Sequence, residues 1–271
     1  MDLPILESLG GNIVQGALTL STLKSDTGPA TTSDISMPQA YCVTSHILET
    51  KCSRLQLHGT SSKTIPRWTP GSKVTCGIEY QSFLQANYTV DDIGHVKSCL
   101  KKVIDLLNAY RLGLRFVYVE DILPETFTLT YEEDPRAYAT SFFPGTPRGK
   151  RKIVLHESLF LPEYRDSIFN TLCHEFGHTL GMRHWNAASE EPHHPSVHFP
   201  LGSDNRLSVM GPYNHPRTLQ FHLDDKKWLK EFYGQDSGSY IQGYKIVDYP
   251  VIPRVTHRSI RGMEITRLRK V

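Results

Sequence analysis

Residues 172–185 read LCHEFGHTLGMRHW, placing three histidines and a glutamate within one short stretch. His174 and His178 are four apart. On a helix, that spacing puts both rings on one face, one turn from each other, so they can aim at a common point. Gly181 follows three residues later. Glycine takes a positive φ at little cost, which ends the helix and turns the chain back. His184 can then approach the same point from outside the helix. Three neutral imidazoles suit zinc and leave a fourth position open to water, as in catalytic rather than structural sites. Glu175 stands beside the first ligand and is not needed as one, so it is the candidate general base. At this chain's histidine and glutamate usage, HExxH arises by chance in about one chain in thirty, and the added glycine and histidine lower that to about one in ten thousand. The pattern is therefore read as a site.

The 271 residues suffice for one large domain with extensions. A net charge of +2 offers no reason to expect nucleic acid. No run of eighteen apolar residues spans a membrane. Most of the thirteen histidines fall after residue 155, which also points to metal chemistry in the second half. The N-terminus, MDLPILESLGGNIVQGALTL, shows neither a basic start nor a continuous apolar stretch, so no secretory signal is visible. Five cysteines without a CxxC pair exclude a dense disulfide framework. Cys76 and Cys99 remain candidates for a bridge in an oxidising compartment, buried thiols being the alternative.

The first 64 residues are rich in Ser, Thr, Gly and Pro and read as a flexible or propeptide-like extension, with one or two short strands within residues 40–59. Order is predicted from residue 65. Val74–Tyr80 has strand character after the turn at Pro70-Gly71. Ile93, Val96, Leu100, Val103 and Leu107 recur at helical spacing; Thr89 and Asp92 fit a capping box, and Gly113 fits the stop. LRFVYVE, TFTLTYEE, AYATSFFPG and KRKIVL read as strands. PEYRDSIFNTLCHEFGHTLG reads as the helix carrying the histidines, with Ile168, Leu172, Phe176 and Leu180 buried, and LDDKKWLKEFYG reads as a second helix. Residues 235–271 read as an irregular basic tail. His193, His194 and His198 lie among prolines and read as a solvated loop rather than a second metal site. The order implies an α/β or α+β layer on one twisted sheet.

HEFGHTLGMRH matches HExxHxxGxxH and resembles the metzincin metalloproteases. RLSVMGPY resembles the methionine turn beneath their metal, with Met210 in that place. PRWTPGSKVTCGIEYQSF, AYATSFFPG and DDKKWLKEFYG are similar to the opening strand, the substrate-facing edge strand and the closing helix of the matrixin and astacin-like branch, fungal members especially. The likeness spans about residues 65–234. It implies a metzincin-like α+β catalytic domain: a twisted mixed sheet, an active-site helix, a second helix, and a zinc cleft between upper and lower subdomains. It further implies one catalytic zinc on His174, His178 and His184, Glu175 as base, and Gly181 and Met210 as support. The implied activity is hydrolysis of protein or peptide substrates by a monomer, with no nucleic acid or membrane partner, and with export. The edge strand lacks the histidine that many matrixins use for a second, structural zinc, so no such ion is expected. Two features depart from the pattern. Trp185 follows His184, and Tyr213 lies three residues after Met210 where relatives place a tyrosine two after it. Tyr213 either assists the metal or the oxyanion, or packs in its loop. The rival reading is a catalytically silent protein that keeps the fold and metal as a binding module.

Overall fold

The computed structural model describes residues 56–120, 127–190, 195–198, 208–211 and 216–251. The first half carries β1 (Gln56–His58), β2 (Thr64–Trp68), β3 (Lys73–Ile78), α1 (Tyr80–Gln85), α2 (Val90–Tyr110), β4 (Arg115–Tyr118) and β5 (Phe127–Tyr131). Then follow β6 (Ala139–Thr140), β7 (Lys152–Leu155), α3 (Ile168–Thr179), β8 (Met182–Arg183), α4 (Ala187–Glu190), β9 (Ser196–His198), α5 (Leu223–Gly234), β10 (Tyr240–Ile241) and β11 (Tyr244–Tyr249).

α2 forms where its local signals place it. The Asp92 amide donates to Thr89 Oγ1 at 3.1 Å and the Thr89 amide to Asp92 Oδ2 at 2.9 Å, closing the expected capping box. Ile93, Val96, Leu100, Val103 and Leu107 are all buried. The stop differs from expectation. The helix ends at Tyr110, and Arg111 takes the left-handed conformation at φ 53°. Asn108 explains the early exit, because its side-chain amide donates to Phe116 O and accepts from Phe116 N, both at 2.9 Å. The last turn is thereby tied to β4, and Gly113 (φ 77°) serves the following turn.

The main sheet has the order β4-β3-β5-β7-β6. Its first four strands are parallel, and β6 pairs antiparallel at the edge. Parallel neighbours require crossovers, and α2 supplies the one from β3 to β4. Phe176 of α3 meets Phe116 and Phe127, with ring centroids 6.0 and 5.5 Å apart, so the histidine-bearing helix lies on the sheet through one large side chain. The arrangement is an open α+β fold with several mixed sheets.

Three further expectations are revised. α3 starts at Ile168, preceded by a single 3-10 turn at Arg165–Ser167, rather than near Pro162. β6 spans two residues, because Phe142 turns into the core against Phe127 (5.4 Å) and Phe143 stacks on His58 (4.1 Å). Within residues 235–271, read as irregular, Tyr240–Ile241 and Tyr244–Tyr249 form a hairpin, and β11 pairs parallel with β2. Gln242 (φ 50°) and Gly243 (φ 80°) make its two-residue turn with both φ positive, which matches the twist of the flanking strands. β1 falls within residues 40–59, where the sequence predicts a short strand, and is the middle strand of the sheet β8-β1-β9. Cys76 and Cys99, considered as a bridge, are separate buried thiols, as is Cys173. Among the described residues, no helix is long and apolar enough to cross a membrane.

Candidate metal centre

α3 is buried on every side over Thr171–Thr179, unlike an amphipathic surface helix. Its C-terminal carbonyls are closed by side chains from distant strands and helices. Trp68 Nε1 donates to Thr179 O at 2.7 Å, and Tyr233 Oη donates to Leu180 O at 3.2 Å. Gly181 then turns the chain at φ 96°, its amide on His178 O at 2.9 Å. A side chain there would be strained and would come 3.4 Å from the Pro66 carbonyl. β8 follows and delivers His184.

The three imidazoles converge. One ring nitrogen from each of His174, His178 and His184 lies within 4.8 Å of the other two, and all three residues are buried. The Nε2 atoms of His174 and His184 are 3.0 Å apart. His174 Nδ1 faces Val209 O at 2.8 Å, and His178 Nδ1 faces Met182 O at 2.9 Å. A carbonyl only accepts, so each Nδ1 carries the proton and each Nε2 presents its lone pair to the shared point. His178 Nε2 is buried without a hydrogen-bond partner among the described residues. A buried acceptor left without a donor is costly, and a cation at the point of convergence would satisfy it. The donor set therefore fits a metal ion.

Burial also sets the protonation. It pushes His174 down to about 4 and His178 well below its ordinary value, with His184 and His174 adding to the effect on His178. Both rings are neutral at pH 7, as a ligand must be. A stability prediction follows for the metal-free chain. Below pH 6.5 the unfolded chain takes up a proton that folded His174, at about 4, does not. Stability from this group is therefore constant above 6.5 and falls by about 3 kcal/mol as pH drops to about 4. Urea unfolding in the presence of chelator, from pH 7.5 to 4, reads this directly.

Glu175 is fully buried on α3 between the two helical histidines, and its backbone carbonyl accepts from Ser141 Oγ at 3.0 Å, just past β6. Met210 lies beneath α3. A Cβ on Gly177 would come 2.5 Å from Met210 Sδ, so this helical glycine makes room for the methionine. Asp225, at the start of α5, holds that segment. Ser208 Oγ donates to its Oδ1 at 2.6 Å, and the amides of Val209 and His222 donate to its Oδ2 at 2.8 Å. Burial raises the Asp225 carboxyl while these donors oppose the rise. Val209 thus connects Asp225, through its amide, to His174, through its carbonyl.

The structure brings His174, His178 and His184 to one buried point, with Gly181 making the turn before His184 and Met210 packed against Gly177 of the same helix. Tyr213, His193 and His194 lie outside the described residues. Sequence reasoning missed Gly177, Asp225 and Gln56. Gly177 was visible inside HEFGH but had no contact to explain it, and Asp225 showed only as an acidic helix start.

No protein-family model matches the chain, and no curated protein matches it. Among solved structures, the chain is similar to one described as the GM1 bound form of the ECX AB5 holotoxin, at 16% identity and a TM-score of 0.42, over 65% of this chain and 81% of that one. It is also similar to metalloproteinase-II from Bacteroides fragilis, at 10% identity and a TM-score of 0.33, over 68% of this chain. There it spans 58% of the other chain's length. At such scores neither likeness bears on function, and the histidine cluster alone does.

Proposed function

We propose that the chain is a zinc-dependent endopeptidase of the metzincin type, acting as a monomer on protein or peptide substrates. The observation that carries this is the convergence of three buried imidazoles, the two helical ones each held by Nδ1 on a backbone carbonyl. Three nitrogen donors with a position left open favour zinc over calcium or magnesium, which prefer oxygen. Bound there, the cation supplies Lewis-acid activation of water and of a peptide carbonyl. Glu175 takes the proton from water and returns it to the leaving amine. The β6 edge lines up an extended peptide by backbone pairing, and Ser141 ties that edge to α3 at Glu175. Tyr213 is assigned to the oxyanion in this scheme.

The complete burial of Glu175 favours a second reading, a metal-binding protein that does not cut. One experiment separates the two. Purified chain is assayed for zinc content and for casein cleavage, with and without o-phenanthroline. The peptidase reading expects one zinc per chain and cleavage that the chelator stops and added zinc restores. Zinc without chelator-sensitive cleavage establishes the second reading, and a chain that binds no zinc removes both.

A further inference from the structure

We infer that β1 positions the third imidazole, with Gln56 as the positioning residue; the inference rests on the metal reading of the histidine cluster. His174 and His178 are fixed by α3, whereas His184 follows a two-residue strand and a turn. That strand has one described partner, β1, through the pairs Gln56↔Arg183 and Leu57↔Met182. The His58 amide adds a bond to Gly181 O at 2.9 Å, at the turn itself. Beyond His184, both backbone groups of Trp185 are held. Its amide donates to Met210 O at 2.9 Å, and its carbonyl accepts a short hydrogen bond from Gln56 Nε2. His184 therefore sits in a loop gripped by β1 before it and by Gln56 and Met210 after it.

Gln56 is fully buried. An amide at such a place costs more than an aliphatic side chain unless it makes a specific bond. The bond it makes ends one residue from His184. A carbonyl only accepts, which fixes Nε2 as the amide atom facing Trp185. Leu57, also fully buried, anchors the strand in the core. Every motif residue of the centre lies downstream, yet the centre is incomplete without residues 56–58. Proteolytic processing that left an active chain would have to cut before Gln56.

The test uses the full chain with Gln56→Met, which keeps size and removes the donor. Zinc affinity is measured by competition with a chromophoric chelator, and the visible spectrum of the cobalt(II)-loaded chain is recorded. Thr130→Val is the control for burial alone; Thr130 is 2% exposed and its hydroxyl donates to Glu79 at 2.9 Å, in the main sheet. Gln56→Met is expected to lower zinc affinity about tenfold to a hundredfold and to alter the cobalt spectrum, with Thr130→Val unchanged in both. Wild-type zinc affinity and an unaltered cobalt spectrum in Gln56→Met overturn the role of Gln56. A wild-type chain that binds neither metal overturns the metal reading itself. If Gln56→Met does not fold, Gln56→Leu, which likewise lacks a donor, is judged by the same two readouts.

Discussion

Glu175→Ala is expected to lower kcat for peptide cleavage by at least about a hundredfold, and by as much as about ten-thousandfold, while zinc content stays at the wild-type level. The separation of the two readouts is the point. Glu175 adjoins His174 in sequence, but among the described residues the ligand cluster consists of His174, His178 and His184. A general base acts on the proton in flight, so its removal lowers kcat and kcat/KM together and leaves KM nearly unchanged. Single-turnover cleavage of a fluorogenic peptide, with zinc measured on the same sample, decides the matter. Loss of zinc in the variant would show that the carboxylate supports the ion and is not the base. Glu175 is wholly buried, so the variant also leaves a cavity, and a thermal melt is needed beside the kinetics.

Asp225→Ala is expected to destabilise the chain by about 3 to 5 kcal/mol and to weaken zinc binding as well. Three donors converge on this carboxylate: the Ser208 hydroxyl and the Val209 and His222 amides. Removing it takes away the acceptor shared by all three donors, and the Ser208–Gly211 turn loses its tie to α5. The second effect travels through Val209, whose carbonyl holds His174 Nδ1. Asp225→Asn keeps one oxygen for an amide donor and can offer its own N–H to Ser208, so its cost is expected to be about half as large. Urea denaturation with and without zinc measures both effects. An Asp225→Ala chain as stable as wild type, or one whose zinc affinity is untouched, would show that the turn is held by other means.

What could be read from the chain before its fold was known depended on the range of each interaction. The start of α2 was legible because Thr89 and Asp92 are three apart and satisfy each other. Its end was misread, since Asn108 leaves the helix for β4, and a tertiary bond outweighs the preference of Gly113 for the stop. The histidine cluster was legible for the same local reason: helical spacing plus one glycine prescribe the convergence. Gln56 and Asp225 act on backbone groups of residues 129 and 16 positions away, and nothing in residue type announces such a partner. The β10–β11 turn did carry a signal, a glycine in a two-residue link between tyrosine-rich strands, but a tail rich in basic residues masked it.

The pairing of β2 with β11 has a consequence for how the protein is made. Arg67 and Asp248 form a 2.7 Å ion pair across 181 positions, and the same guanidinium donates to the Phe232 and Gln235 carbonyls. During synthesis β2 emerges first and must wait roughly ten to forty seconds for its neighbour at ordinary elongation rates. Throughout that interval an arginine destined for the interior is without its counter-charge and a strand is without its ladder. Non-local parallel pairing is intrinsically slow, so completion of the domain comes late in folding. Chains that stop short of Tyr249 would thus be prone to aggregate, even with every histidine of the centre intact.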